Sequence, residues 1–110
     1  MTLAEAVADT QIAVGDSVTI SDRAYGVFDV VLASGVTPNT YNIVQCTGVG
    51  TLALVLRVDS DSEIDSRQWG AVLDGSTDDS DALQEAGDYG LPVFISPSTV
   101  SVSTAVTGTF

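Results

Sequence analysis

The chain has 110 residues, 45% of them hydrophobic, which is enough for one ordinary domain or two small units that share an interface. Fifteen acidic residues face three arginines, with no lysine or histidine, and the resulting net charge of -12 argues against nucleic acid or anionic membranes as partners. This acidity fits either a basic partner surface or a simple need for solubility. No apolar run approaches the ~20 residues that span a bilayer, so no membrane insertion is expected.

Residues 3–9 predict a short helix. Thr2, followed three residues later by Glu5, forms a capping-box pattern, and the apolar residues of the segment share one face. The segment carries acids and no basic residue, so it is not typical of a secretory signal. A helix of about two turns is marginal alone and therefore needs a partner surface, in its own chain or in a neighbour.

From Ile12 to about Val58 the sequence predicts β-strands. A first apolar run, Ile12–Val14, leads into a turn at Gly15-Asp16, and later runs are separated by turn-forming residues. The predicted strands are Ser17–Ile20, Gly26–Ala33, Tyr41–Cys46 and Leu52–Val58. By default they form an antiparallel meander, whose edges need to be covered by the helix or by another chain.

A polar stretch, Asp59–Glu63, predicts the boundary between an N-terminal β-rich domain, residues 1–62, and a second part, residues 63–110. Ile64–Trp69 then predicts a short strand. Cys46 is the single cysteine, so no intrachain disulfide is possible, and it is expected to be a small buried hydrophobic residue.

The second part predicts a turn, a helix and two strands. Asp74-Gly75 is a strong turn dipeptide, and Thr77 or Asp78 is predicted to cap a helix that runs to about Asp88. Apolar residues of this helix form a buried stripe, which consists of Ala82, Leu83 and Ala86. Val93–Ile95 predicts a buried strand, Ser96-Pro97 a turn, and Thr99–Val106 a strand with period-two alternation.

Residues 67–86 carry a recognisable pattern of an aromatic residue, Gly-Ala, Asp-Gly, Thr-Asp-Asp-Ser and a helical Ala-Leu-Gln. The residues that match it are Trp69, Gly70, Ala71, Asp74, Gly75, Thr77, Asp78, Asp79, Ser80, Ala82, Leu83, Gln84 and Ala86. This pattern resembles the opening coil of the right-handed parallel β-helix of phage tailspikes and pectate-lyase-like proteins. The chain departs from it at Leu73, where the family usually has glycine.

The N-terminal part is similar to the small β domain that precedes the first coil in many tailspikes and tail fibres. The strings Ala13–Ile20, Tyr41–Val44 and Leu52–Leu56 follow the order of that domain. The resemblance implies a mainly β fold, in which a small antiparallel β domain with a short leading helix is followed by a capping helix and the first strands of a right-handed parallel β-helix.

The resemblance also implies a function. The chain is expected to be the N-terminal anchor of a tailspike or tail fibre, a virion structural protein that attaches the receptor-binding part to the tail, baseplate or an adaptor protein. Such proteins are homotrimers, are assembled in the host cytoplasm and meet host glycan through more C-terminal parts. The residues expected to build the cap and its turns, with no catalytic role, are Trp69, Gly70, Asp74, Gly75, Thr77, Asp78, Asp79 and Gln84.

A sheet of about four strands has too few strands to hide both of its faces, and the threefold packing that the resemblance implies would cover its surplus apolar side chains. The predicted packing residues are Phe28, Val30, Leu32, Ile43 and Val44. The alternative is that these side chains form the ordinary core of one chain.

Other functions stay open. The chain is also compatible with a fragment of a polysaccharide lyase or hydrolase whose catalytic coils lie beyond residue 110, or with a complete small acidic adaptor protein. Catalysis within this chain is not expected, because the absence of histidine excludes a Ser-His-Asp triad and a carboxylate pair needs a groove. Calcium at Asp74, Asp78, Asp79 and Asp81 is a further alternative, but the string lacks the EF-hand order, so no metal or cofactor is predicted.

Overall fold

A computed structural model describes residues 1–58, 63–95, 99–102 and 106. The chain divides into two compact units, Met1–Arg57 and Val58–Phe110. The division precedes the predicted boundary after residue 62, and residues 59–62 of the polar stretch lie outside the described residues. The fold is mainly β, as the sequence predicted, and its largest element is a four-stranded antiparallel sheet.

The first unit contains one short helix and four strands. These are α1 (Leu3–Ala8), β1 (Ser17–Ile20), β2 (Gly26–Leu32), β3 (Ile43–Gln45) and β4 (Leu52–Leu56). The predicted bounds of β1 are confirmed, and the other three strands lie within the predicted runs but are shorter.

The strand order is β1-β2-β4-β3, so the prediction of a simple meander is wrong. The physical reason lies in composition. Strand β4 is apolar throughout and almost fully buried, which suits a central position, whereas β3 is short and ends in the exposed Gln45. The central pair β2–β4 places Phe28 opposite Leu56 and Val30 opposite Leu54, and these side chains form the centre of the core.

The predicted turn at Gly15-Asp16 is present, but the Ile12–Val14 run that precedes it is not a strand. The Asp16 N–H donates to the Ala13 carbonyl (3.0 Å), and Gly15 has φ +97°, which glycine adopts without strain. Gly15 and Asp16 then face Val30 together, because the Gly15 N–H donates to the Val30 carbonyl (3.1 Å) and the Val30 N–H to the Asp16 carbonyl (2.9 Å). This pattern is a G1 bulge, which sets the register in which β1 enters the sheet.

The N-terminus of α1 is fixed by its cap and by the turn after β1. The predicted capping box is confirmed, since the Thr2 N–H donates to Glu5 Oε1 (2.8 Å) and the Glu5 N–H to Thr2 Oγ1 (3.2 Å). The Ser21 N–H donates to the Met1 carbonyl (2.8 Å), so the helix starts beside the end of β1.

The C-terminus of α1 is held by the turn that joins β3 to β4. The Val7 carbonyl accepts from the backbone N–H groups of Thr47 (2.9 Å) and Gly48 (3.0 Å). A Cβ built on Gly48 would lie 2.6 Å from the Asp9 carbonyl oxygen, and closer still to that of Ala8. The helix therefore finds its partner surface in its own chain, and glycine at position 48 allows the close approach.

Among its described residues, the second unit contains one helix and two parallel strand pairs. Its elements are β5 (Ile64–Asp65), β6 (Asp74–Asp78), α2 (Ser80–Asp88), β7 (Val93–Phe94) and β8 (Thr99–Ser101). Strand β5 pairs in parallel with β7, and β6 pairs in parallel with β8. The predicted strand Ile64–Trp69 is a strand only in β5 and continues as a 3₁₀ turn, Ser66–Trp69. The predicted turn Ser96-Pro97 lies outside the described residues.

The core of the second unit gathers around Trp69 and α2. The predicted stripe of Ala82, Leu83 and Ala86 is buried, which confirms the helical face read from the sequence. The Trp69 ring is 1% exposed and meets Tyr89, just after α2, edge to face at a centroid distance of 5.4 Å. Its indole Nε1 has no hydrogen-bond partner among the described residues, so the ring serves as apolar filling. No helix of the described residues is long and apolar enough to cross a membrane.

Replacing Gly48 by Ala is expected to destabilise the first unit by about 1–3 kcal/mol, because the new methyl group overlaps backbone at the end of α1. Gly50→Ala is the matched control, since a Cβ on Gly50 of the same turn meets nothing within 4 Å. Urea denaturation of the two variants checks the prediction. Equal midpoints would contradict the close approach of the turn to α1.

Candidate functional site

The cap and turn residues predicted from the sequence lie on one continuous segment of the second unit, between the 3₁₀ turn and α2. Trp69 ends the 3₁₀ turn, and Gly70 follows with φ +101° while its N–H donates to the Arg67 carbonyl (3.1 Å). The remaining members lie in β6, at its junction with α2, or in α2 itself.

Asp79 is the most buried acid of the segment, with 2% of its surface exposed. It occupies the N-cap position of α2, but its side chain does not cap the helix. Instead Oδ1 accepts from the Val72 N–H (2.9 Å) and Oδ2 from the Leu73 N–H (3.0 Å), while the Asp79 carbonyl accepts from the Leu83 N–H (2.9 Å). Asp79 therefore joins the chain before β6 to the start of α2.

Leu73 stands in an unusual backbone conformation at the place where the resembled family has glycine. Its φ is +59°, a left-handed value that costs a non-glycine residue about 1–2 kcal/mol. Its side chain is buried, with 7% exposed, and its N–H is held by Asp79. Burial of the leucine and the bond to Asp79 offset the strain that glycine would have avoided.

Asp74 organises the exposed turn at the start of β6, and the predicted Asp74-Gly75 turn is part of that strand. Its Oδ1 accepts from the backbone N–H groups of Thr77 (2.7 Å) and Ser76 (2.9 Å), and its Oδ2 accepts from Thr77 Oγ1 (2.9 Å). The backbone bonds from Thr77 and Ser76, followed by the Thr77 hydroxyl, lower the pKa of Asp74 below its usual 3.8. Asp79 occupies the N-cap position of α2 and no side chain there makes a capping bond, so the prediction that Thr77 caps α2 is wrong.

Asp78 supports the beginning of α2. Its Oδ1 accepts from the backbone N–H (3.0 Å) and the hydroxyl of Ser80, the first residue of the helix. Gln84 lies one turn further along, and its Nε2 donates to Asp88 Oδ1 (2.8 Å), which is an i,i+4 pair. The prediction that Asp78 is the N-cap is therefore also wrong, because Asp79 holds that position, but Asp78 still bonds to the first residue of the helix.

The arrangement of these carboxylates is structural. Asp74, Asp78 and Asp79 each accept hydrogen bonds from backbone N–H groups, and such bonds fix turns and helix starts. Within the described part of the chain, no group of three or more acidic or cysteine side chains is placed to hold a metal ion. The calcium alternative gains no support from these residues.

The predicted threefold packing residues fall into two groups. Phe28 and Val30 are at most 1% exposed and Val44 is 8% exposed within one chain, so these three cannot form a surface for another copy. The prediction is wrong for them because their side chains already pack in the core of a single chain. Ile43 is half-buried, and Leu32, at the end of β2, is 55% exposed.

The opposite face of the sheet carries a group of apolar side chains that remain partly exposed. Its half-buried members are Val27, Val31, Ile43 and Val55. These residues share a face because side chains alternate along each strand and the register pairs Ile43 with Val55. The sequence analysis missed three of them, although the period-two alternation of Gly26–Leu32 already separates Val27 and Val31 from Phe28 and Val30.

The same face carries an ion pair that leaves it electrically neutral. Asp29 Oδ2 accepts from Arg57 Nε (3.3 Å), and Ser17 Oγ lies 3.0 Å from both Arg57 Nη2 and Asp29 Oδ1. The hydrogen bond from Arg57 lowers the pKa of Asp29, and the same bond raises the pKa of Arg57. We call this surface, with Val27, Val31, Ile43 and Val55, the neutral face.

The other two arginines also bond within their own unit. Arg67 Nη2 lies 2.9 Å from Asp65 Oδ2, and Arg23 donates to the carbonyls of Tyr41 (2.9 Å) and Thr40 (3.1 Å). Burial lowers the pKa of Arg23. All three arginine side chains therefore bond within their own unit, and most of the exposed side-chain charge is that of the acids.

No protein-family model matches the chain, and no curated protein matches its sequence. The geometry of the two units and the sequence pattern are therefore the grounds for a functional proposal.

Asp79→Ala is expected to destabilise the second unit by about 3 kcal/mol, because two backbone N–H groups lose their partner. Asp78→Ala should cost about 1 kcal/mol through the weaker helix start, and the exposed Asp81→Ala serves as the control. Urea midpoints of the three variants check this order. Stabilisation of the unsubstituted protein by Ca²⁺ that is lost in Asp79→Ala would instead favour an ion site.

Asp74→Asn is expected to flatten the acid end of the stability profile. The pKa of Asp74 is lower in the folded chain than its usual 3.8, so its contribution is complete above that value and is lost as pH falls through the folded pKa. Asparagine keeps an oxygen acceptor for the turn but does not titrate. The melting temperatures of Asp74→Asn and of the unsubstituted protein, measured from about pH 5 downward, should therefore converge as pH falls. A constant difference at all pH values would contradict this role.

Proposed function

We propose that the chain is the N-terminal anchor of a phage tailspike or tail fibre, a virion structural protein that attaches the receptor-binding part to the tail or baseplate. The observation that carries the proposal is the order of the parallel pairs in the second unit. Ile64 pairs with Val93 and Asp74 with Thr99, so the two strands after α2 lie beside the two strands before it in the same sequence. Successive coils of a parallel β-solenoid add in this way.

Helix α2 supports the capping part of the proposal. The end of a solenoid leaves its core open, and a terminal cap needs one apolar face toward that core and one polar face toward water. In α2 the alanine and leucine stripe is buried, whereas Asp81 and Asp88 are exposed. We propose that α2 closes the first coil of a right-handed parallel β-helix, which gives this segment a structural and not a catalytic role.

The neutral face supports the homotrimer. Chains with a net charge of -12 repel one another, so copies approach most easily where the local charge is zero. The neutral face meets this condition, because Arg57 balances Asp29 and the surrounding Val27, Val31 and Val55 are apolar and only half-buried. We propose that three copies pack through this face in the virion tail after assembly in the host cytoplasm, while host glycan is met by more C-terminal parts of the protein.

The mass of the purified protein in solution, measured by light scattering against the mass of its chain, tests the proposal. A threefold mass is the expected result. Val31→Asp, which places a charge on the neutral face, should reduce the mass to that of one chain, whereas Val14→Asp at an exposed position of the first unit should leave it unchanged. Circular dichroism confirms that both variants fold. A single-chain mass for the unsubstituted protein would overturn the trimeric anchor.

A further inference from the structure

The outer edge of β1 presents backbone groups that have no partner among the described residues. At its start the Val30 N–H donates to the Asp16 carbonyl, and in an antiparallel pair the bonded residues alternate along the strand. Val18 and Ile20 therefore bond to β2, opposite Phe28 and Gly26. The N–H and carbonyl groups of Ser17 and Thr19 point away from the sheet, and both side chains are exposed.

The opposite edge of the sheet is closed by the chain itself at Ile43. The outward N–H of Ile43 in β3 donates to Asn39 Oδ1 (3.1 Å), and the Ile43 carbonyl accepts from the N–H groups of Asn39 (2.8 Å) and Thr40 (3.0 Å). Thr40 adopts φ +69° in this loop, so the closure includes a strained residue. The β3 edge is thus covered at Ile43 at the cost of strain in Thr40, whereas the β1 edge is open at Ser17 and Thr19.

Just beyond β1, the same edge already forms a hydrogen bond with backbone from another part of the chain. The next outward N–H after Thr19 is that of Ser21, and it donates to the Met1 carbonyl (2.8 Å). The open stretch is therefore Ser17–Thr19, and it lies in line with a backbone contact of the kind that an added strand makes.

The occupant of this edge is not a second copy of the chain. Two β1 edges that pair with each other form an isologous contact, which gives dimers. A threefold ring needs β1 to pair with a different edge, and the β3 edge is closed at Ile43. This step rests on the proposed trimer. Repulsion between chains of net charge -12 also disfavours a second copy at this edge.

Charge defines the partner. The exposed Asp16 and Asp22 flank the open stretch, and all three arginines bond to groups of their own unit. A strand added here meets carboxylates at both ends, and the guanidinium beside Ser17, that of Arg57, is balanced by its ion pair with Asp29. We infer that the Ser17–Thr19 edge binds an extended, basic segment of another protein by β-strand addition.

Amide hydrogen exchange measured by NMR on the 110-residue chain tests this inference. The probe is an end-blocked peptide of alternating lysine and valine, and the control is the same peptide with glutamate in place of lysine. The basic peptide should slow exchange of the Ser17 and Thr19 amides by about tenfold or more, because each gains a partner. The acidic peptide should have no such effect. Unchanged exchange with the basic peptide, or equal slowing by both peptides, would overturn the inference.

Thr19→Pro removes an outward N–H and leaves the ladder to β2 intact, so it should abolish the effect of the basic peptide on Ser17. Thr19→Ala keeps the N–H and should respond as the unsubstituted chain does. If Thr19→Pro does not fold, Ser17→Pro at the first position of the strand makes the same test with Thr19 as the reporter. A proline variant that folds and still shows slowed exchange would contradict pairing at this edge.

Light scattering of the same samples separates this inference from the proposed function. A threefold mass with unchanged exchange removes the edge pairing alone. A single-chain mass with slowed exchange removes the trimer and leaves the pairing with the basic peptide in place. Slowing that appears without peptide and grows with protein concentration would show that a second copy occupies the edge, which contradicts the inference.

Discussion

The buried carboxylate of Asp79 is the interaction on which the second unit depends. A charged group taken out of water is tolerated only when hydrogen bonds replace its hydration, and both oxygens of Asp79 accept backbone N–H groups. Its place at the N-terminus of α2 adds the favourable end of the helix dipole. By holding Leu73 in a left-handed conformation, Asp79 directs the chain into β6. The parallel pairing of β6 with β8 and the position of α2 follow from that direction.

In the first unit the comparable constraint is the attachment of α1 at both of its ends. A helix of six residues has little stability alone, so its position is set by groups that other elements supply. The turn after β1 holds its start, and the turn between β3 and β4 binds the Val7 carbonyl. The two turns lie at opposite ends of the sheet and on different strand pairs. The helix therefore ties the two hairpins together, at positions where Gly48 leaves room for backbone to meet backbone.

The features that were predicted correctly are set by residues close together in the chain. The features that were missed are set by contacts between residues far apart in the chain. The capping box of Thr2 and Glu5 and the bounds of β1 follow from local chemistry. The position of β4 between β2 and β3 depends on which strand buries most apolar surface in the finished sheet. Alternation along β2 indicates two faces but does not say which one packs inward. Asp78 and Asp79 are adjacent in sequence, and only the fold of the preceding loop decides that Asp79 turns inward.

Because the chain is strongly negative, the two proposed contacts should respond to salt in opposite ways. Copies that meet at the neutral face approach against the repulsion of two acidic chains, and salt screens that repulsion over a distance of about 10 Å at 0.1 M. Self-association should therefore strengthen as ionic strength rises. A basic strand at the Ser17–Thr19 edge is attracted by Asp16 and Asp22, and the same screening should weaken its binding. Opposite salt dependence of particle mass and of peptide affinity would separate the apolar contact from the electrostatic one, whereas a parallel response would mean that one surface serves both partners.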